Sequence, residues 1–417
     1  MSDEFDYERT ESDRAEPVAV GAPRHRMSRL ERIRARRTHT RRRAVAGAAV
    51  AVLLAVVLAV IFLGTKIFHS GGGGEYSGAG KDDIVVQVHD GDSTTQIGQT
   101  LRDQNVVANV KSFVDASKDN AAIAAIQPGF YKMRTEMSAS AAVQRLADPG
   151  TRVGKLVIPE GRQLDDVKAV GSDKTTDGIF TMIADASCVE LNGQRTCVSA
   201  GDLRKAAEQA DPAALNIPDW AMKPVMALGN NHRRLEGLIA PGAWNVDPSG
   251  SAQQILATLV AQSANHYVKG GLLDTAKAMS MSPYEILVVG SLVQREAKPA
   301  DFAKVARVIY NRLAAPQRLE FDSTVNYPLD RQEVATTDAD RAQVTPWNTY
   351  ASDGLPATPI CSPGDEALAA AERPDPGDWL YFVTVDMDGT TLFTKDYRQH
   401  LANIELARRN GVLDSAR

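Results

Sequence analysis

Cysteine is nearly absent from this chain, with three residues in 417. That is too few for the disulfide framework of a small secreted domain. Histidine is sparse too, and its seven residues are scattered, so no His/Cys cluster with ligand spacing is present and no metal site is expected. No lysine stands in a cofactor-binding context, and no cofactor is expected either. Charge is missing altogether from Ala44 to Gly64, a run that spans about 31 Å as a helix and suffices for one bilayer crossing.

What flanks that run gives it a direction. Between Pro23 and Arg43 stand ten arginines and one glutamate, which places the N-terminus on the cytoplasmic side. A cleaved signal peptide fits poorly, since the polar leader exceeds forty residues and the apolar run is longer than a signal core. The leader, residues 1–43, is +4, which leaves −9 for the remainder of a chain whose net charge is −5. The exported part is therefore acidic, and a nucleic-acid partner is not expected. The leader reads as disordered, its arginines meeting the anionic inner leaflet. Residues 44–65 form the transmembrane helix. Residues 66–81, with Gly71 to Gly74 and Ser77-Gly78-Ala79-Gly80, form a flexible tether.

Globular signals begin after the tether. Ile84 to Val88 is a strand candidate, with a turn at His89 to Ser93 and helical spacing at Ile97 and Leu101. An echo of this strand, glycine turn and short helix recurs from Leu156 through Gly161 to Val167. Cys188 and Cys197 flank an Asn192-Gly193 hairpin signal, so a disulfide closing that loop is compatible with an exported location and would leave Cys361 unpaired. Beyond residue 210 helices dominate: one over Ser251 to Tyr267, another carrying Phe302, Val305, Ile309 and Leu313, and a last one from Asp396 to Asn410 that ends at Gly411. Leu319 to Tyr327 reads as strand and loop, and Trp379–Val385 with Thr391–Thr394 as a hairpin. The fold class is α+β.

One helix carries the most information. Ser282 is placed to cap it, Pro283 to open it, and Glu285 to close a capping box. Its interior is apolar nearly all round, as in a buried helix. Ile286, Val289, Val293 and Glu296 follow one another by three, four and three residues, so Glu296 extends the apolar stripe. An acid there loses hydration and gains nothing from the helix dipole, which favours its protonated form and suits it to general acid work. The same spacing is compatible with a cation such as Arg295 pairing with it, or with fraying after Val293 that leaves it solvated.

Hydrogen-bonding residues crowd the chain downstream: Asn311, Arg312, Asp322, Thr324 and Tyr327, then Asn348 and Tyr350. Each alone has a structural reading as a turn, a cap or a core-edge side chain. Together they suit a carbohydrate, whose hydroxyls pair with amides and acids.

At this point the ordered series of motifs resembles a known family. Ser291-Leu292-Val293-Gln294-Arg295-Glu296, Asn311-Arg312-Leu313, Asp322-Ser323-Thr324-Val325 with Tyr327, Asn348-Thr349-Tyr350, Gly354-Leu355-Pro356 with Pro359, and the upstream Leu235-Glu236-Gly237 with Pro241 are similar to the MltG/YceG-like endolytic murein transglycosylases. The resemblance covers nearly everything except the leader and the cysteine-bearing insertion. It departs at Gly242 and Trp244, where relatives often carry an aspartate and a tyrosine.

The resemblance implies a LysM-like α+β subdomain over 82–165, a connecting insertion over 166–210 and a mixed α+β catalytic subdomain over 211–417. It further implies endolytic cleavage of the β-1,4 bond between N-acetylmuramic acid and N-acetylglucosamine, leaving a 1,6-anhydro end. Glu296 falls on the catalytic position. Glu236, Asn311, Arg312, Asp322, Thr324, Tyr327, Asn348 and Tyr350 are the implied substrate-binding set. Nascent peptidoglycan strands near the membrane are the implied substrate, with peptidoglycan synthases or division proteins as the partner class. A noncatalytic peptidoglycan-binding scaffold is the alternative. A pyridoxal-dependent lyase is disfavoured by the exported location and the lysine context.

Overall fold

The computed structural model describes residues 75–412, apart from 119, 170–173, 316, 330 and 333–335. The expected leader, membrane helix and most of the tether lie outside the described residues, and among those described no helix is long and apolar enough to cross a membrane. The architecture is mixed α+β.

The chain begins with a small three-stranded antiparallel sheet. Strand β1 (Asp83–Val88) pairs with β2 (Gly129–Arg134), which pairs with β3 (Arg152–Val153). Helices α1 (Thr94–Asp103), α2 (Val110–Ser117) and α3 (Ala139–Ala147) cover one face. Alternation along the strands sends Val86, Val88, Tyr131 and Met133 into an apolar cluster with Leu101, Phe113 and Leu146. The caps are those the local sequence calls for: Ser93 closes a capping box with Gln96 on α1, and Asn109 caps α2.

A larger apolar cluster starts at Leu156 and runs to Ala371. Strand β4 (Lys155–Ile158), read from the sequence as part of the smaller unit, sends Leu156 and Ile158 into the larger one. The echo read after Gly161 also fails. No helix follows the turn, because Leu164 donates its N–H to the buried Glu236 carboxyl at 3.2 Å instead of starting a helical ladder, and Val167–Ala169 is a strand. The insertion contributes α4 (Ile179–Ala186), the hairpin β5 (Val189–Leu191) and β6 (Gln194–Thr196), and α5 (Ala200–Gln209). Cys188 and Cys197 are bonded across that hairpin, while Cys361 is buried and unpaired.

Strand β7 (Gly242–Asn245) returns antiparallel to β4, pairing Lys155 with Asn245 and Ile158 with Gly242. Then come α6 (Ala252–Gly270) and the central helix α7 (Pro283–Glu296). Ser282 caps α7 with its side chain while Glu285 reaches back to the Ser282 N–H at 2.8 Å, an arrangement that stabilises a helix start by about 1 kcal/mol. Residues 286–293 of α7 are all buried, and each large apolar side chain there contributes roughly 1.5–3 kcal/mol. After α7 come α8 (Phe302–Ala314), the short helix α9 (Asp322–Asn326), α10 (Asp365–Glu372), the hairpin β8 (Tyr381–Thr384) and β9 (Thr391–Thr394), and α11 (Tyr397–Arg409). The stretch expected as strand and loop is therefore partly helical. Thr324 Oγ1 and the Tyr327 N–H bond to the Phe321 and Ser323 carbonyls at 2.7 and 3.0 Å, local closures that a β-branched composition does not advertise.

The segment 359–364 locks α7 in place. Ser291 Oγ accepts the Ile360 N–H at 3.0 Å, and Gln294 Oε1 accepts that of Gly364 at 2.8 Å. Gly237 makes room for this segment: its φ is +74° and a Cβ there would stand 2.5 Å from Pro359. Only glycine meets both demands.

Candidate active site

Glu296 is the last residue of α7 and is half-buried. It lines a small cavity of about 170 Å³ with Lys298, Val305, Phe382, Thr384 and Thr391. Burial pushes its pKa up to about 6, and the negative charge of Asp322 adds to the rise. The helix C-terminus acts in the same sense, since its carbonyl ends disfavour a second negative charge. Ser323 opposes the rise through its N–H and its hydroxyl, and the charge of Arg295 opposes it more weakly. The Ser323 hydroxyl is shielded from solvent and completes no hydrogen bond of normal geometry, though it lies close enough to Glu296 to favour the charged form. The carboxyl is thus not fully solvated.

Asp322, beside it, is fully engaged. Its Oδ1 accepts from Thr336 Oγ1 at 2.7 Å, Tyr350 OH at 2.8 Å and Arg341 Nε at 3.2 Å, and its Oδ2 accepts from Arg341 Nη2 at 3.2 Å. The Arg341 guanidinium also lies over the Tyr350 ring, 5.0 Å from its centroid. Four hydrogen bonds, two of them from the Arg341 guanidinium, hold the Asp322 carboxylate in place, and its charge acts on Glu296 from a distance.

Of the residues expected to touch substrate, Asn311, Asp322 and Tyr350 keep partial exposure. The others are buried. Glu236 is 1 % exposed and has no surface to offer a glycan. Its Oε2 accepts from Tyr327 OH at 2.8 Å as well as from Leu164. Its Oε1 is buried without a partner. Burial pushes its pKa up to about 8, outweighing the two hydrogen bonds, so it is protonated at neutral pH. Tyr327 is itself buried, edge-on to Trp347 at 5.3 Å, with Arg233 over its ring at 5.2 Å. Thr324 is buried against Thr349, their hydroxyls 2.9 Å apart. Asn348 ties its own loop together, donating to the Arg341 and Gln343 carbonyls and accepting from the Tyr350 N–H at 2.9 Å. Asn311 donates to the Trp379 carbonyl at 2.9 Å. Arg312 donates to those of Leu380 and Leu319 at 2.7 and 2.5 Å, and lies over the Tyr381 ring at 5.5 Å. Of these, Asp322, Arg312 and Tyr350 interact electrostatically with Glu296. Asn311 and Arg312 tie α8 to the segment leading into β8, and Glu236 and Tyr327 are joined to each other in the core.

Ser323 and Arg341 were not singled out from the sequence. Ser323 had a signal, its place between Asp322 and Thr324. On a short helix successive side chains point about 100° apart, so the serine turns to Glu296 while Thr324 turns to the core. Arg341 had none, because its pairing with Asp322 spans 19 residues and a loop.

A profile of the YceG-like family matches residues 86–406. An endolytic murein transglycosylase of Bacillus subtilis is 28% identical over 323 residues, covering 77% of this chain and 83% of the relative. One from Streptococcus pneumoniae is 24% identical over 336 residues and is spanned over 58% of its length. A crystal structure of a yceG-like protein from Listeria monocytogenes is 27% identical and covers 77% of this chain and 98% of its own, with a TM-score of 0.49. The family profile spans most of the chain, including the helix that carries Glu296 and the α9 segment that faces it, and the chain belongs to the YceG-like family.

Proposed function

We propose that this chain is an endolytic lytic transglycosylase of peptidoglycan, as its relatives from B. subtilis and S. pneumoniae are named, with Glu296 as its acid and base. The observation that carries this reading is the pairing of one proton-holding carboxyl with a neighbouring carboxylate that is committed elsewhere. Glycosidases that use water work with two carboxyl groups. A transglycosylase works with one: protonated Glu296 gives its proton to the leaving glycosidic oxygen, breaking the bond between N-acetylmuramic acid and N-acetylglucosamine. The resulting carboxylate then accepts the proton of the muramyl 6-hydroxyl as that oxygen closes on the anomeric carbon. The proton count returns to its start, and the product carries a 1,6-anhydro ring.

The apolar run at 44–64 anchors the chain in the cell membrane with its leader in the cytoplasm, and the bonded Cys188–Cys197 pair supports an oxidising compartment for the rest. The glycine tether then keeps the cleft close to emerging strands. Peptidoglycan synthases or division proteins are the partner class this location suggests. Lengthening the Gly71–Gly74 linker should lengthen the released strands, and unchanged products would count against the tether.

Digestion of purified glycan strands in ¹⁸O-water tests the reaction. The expected fragments are cut within strands, end in anhydro sugars and carry no label. One ¹⁸O per new end would mean hydrolysis and overturn the reading.

A further inference from the structure

A second cavity, of about 520 Å³, opens between the small sheet and the N-terminal half of α6. Its volume lies in the range of small-molecule sites, which favour such junctions. Gln87 and Phe130 face it from the sheet. They are cross-strand partners on β1 and β2, on the side opposite the small apolar cluster. Phe130 is buried yet belongs to neither apolar cluster of the chain. The opposite wall is Asn245, Asp247, Gln254, Ile255 and Thr258.

The lining is neutral apart from Asp247, whose Oδ1 accepts the N–H and hydroxyl of Ser249 at 2.9 and 2.6 Å. Asn245 Oδ1 accepts from Arg152 at 2.9 Å, which leaves its amide donors unspent. Asn216, also at the cavity, gives its amide to the Ala257 carbonyl at 3.3 Å, leaving its oxygen unspent. Among the described residues the side chain of Gln87 has no hydrogen-bond partner. Side-chain amides of both polarities beside an aromatic and an aliphatic wall match a ligand with hydroxyls, an amide and a methyl group. An anionic peptide would meet Asp247 with no cation in the lining.

The cavity continues onto a surface. Asn245, Lys155, Ala243 and Val157 share one face of the β4–β7 ribbon by alternation and register, and Val157 is 64% exposed. The ribbon's other end leads to Glu160, whose carboxyl borders Gly364. Gly364 donates to Gln294, two residues from Glu296. Lys155 to Glu160 spans roughly 16 Å of extended chain.

We propose that this cavity, with the outward face of the ribbon leading from it, binds an N-acetylated amino-sugar unit of a glycan strand at a distance from the point of cleavage. The inference rests on the chain acting on glycan. It adds a holding site, so that a strand is gripped in one place and cut in another.

Hydrogen exchange on the full chain tests it, with Glu296→Gln as the parent and tetra-N-acetylchitotetraose as the probe. The sugar should protect residues 247–258 in the parent. Thr258→Trp, which fills the cavity from an exposed position on α6, should abolish that protection, and Gln87→Ala should weaken affinity several-fold. Gln87 is exposed and without a side-chain bond, so its variant keeps the test open if the tryptophan disturbs folding. No protection in the parent, or equal protection in both variants, would overturn the proposal. If the wild-type chain fails to cleave glycan while protection still vanishes in Thr258→Trp, the holding site stands and the proposed reaction falls.

Discussion

A carboxyl group at the end of a buried helix responds to whatever faces it, and Glu296 is faced by groups of opposite effect. Because it must start protonated, kcat/KM should fall as pH rises through about 6, the value to which burial lifts it. Ser323 favours the charged form and Asp322 the neutral one. Ser323→Ala should therefore move the basic limb of the pH profile upward, and Asp322→Asn should move it downward. Shifts of the same sign in both variants would contradict this account of the site. The helical spacing of Glu296 was legible in the sequence, which left open whether the helix frayed after Val293 and solvated it; the helix in fact runs unbroken to Glu296. The hydroxyl facing it was not legible, because side-chain direction on a five-residue helix depends on where that helix begins.

Glu236 makes a separate prediction at the same scale. The folded chain holds its proton to about pH 8, against an ordinary carboxyl value of 4.5. Its contribution to stability is complete below about 4.5 and is lost as pH rises through 8, with a slope of up to about 1.4 kcal/mol per pH unit. Glu236→Gln keeps an oxygen for Tyr327 and Leu164 but removes the titration. The fall in melting temperature between pH 5 and pH 8 should be shallower in that variant than in the wild type, and parallel curves would exclude the effect. The sequence placed Glu236 beside a glycine and a proline but could not place it in the core, since its partners lie 72 and 91 residues away.

Among the elements, the disulfide-bonded hairpin β5–β6 has a role that its sequence did not disclose. Its tip reaches the edge of the small sheet. The Asp83 N–H donates to Asn192 Oδ1 at 2.7 Å, and the Asn192 N–H returns a bond to Asp83 Oδ2 at 3.0 Å. Burial alone would raise the Asp83 pKa, but Asn192, Lys132 and Arg134 outweigh it and hold it at about 2. Asn192 adopts a φ of +52°, so Asn192→Gly preserves the turn while deleting the side-chain bonds. About 1 kcal/mol should be lost for each hydrogen bond removed, and amide exchange should accelerate at the start of β1 without changing in α7. Unchanged exchange at β1 would show that the hairpin is not a clasp. The Asn-Gly turn and the cysteine pair were readable locally. Their partner was not, because 109 residues separate Asp83 from Asn192.

The whole molecule follows the same division between local and distant information. Helices with caps and strong periodicity, such as α7 and α11, fall within a residue or two of where their sequence places them. The boundary between the two apolar clusters does not, because β4 pairs with a strand almost ninety residues later and joins the larger core. Most of the residues expected to bind sugar spend their polar atoms on hydrogen bonds within the protein. An ordered series of motifs records the architecture of a site as much as its contact surface. Buried scaffolding of this kind predicts that Thr324 or Tyr327 variants lose stability along with activity, whereas Glu296 variants lose activity alone.

That contrast gives the most direct measurement: mass analysis of purified glycan strands treated with the wild-type chain and with Glu296→Gln, at equal folded concentration. The account predicts internal fragments with 1,6-anhydro ends from the wild type. From the variant it predicts a loss of about 10²–10⁴-fold or more in their rate of formation, with strand binding retained. Anhydro-ended fragments formed by Glu296→Gln at the wild-type rate would contradict it.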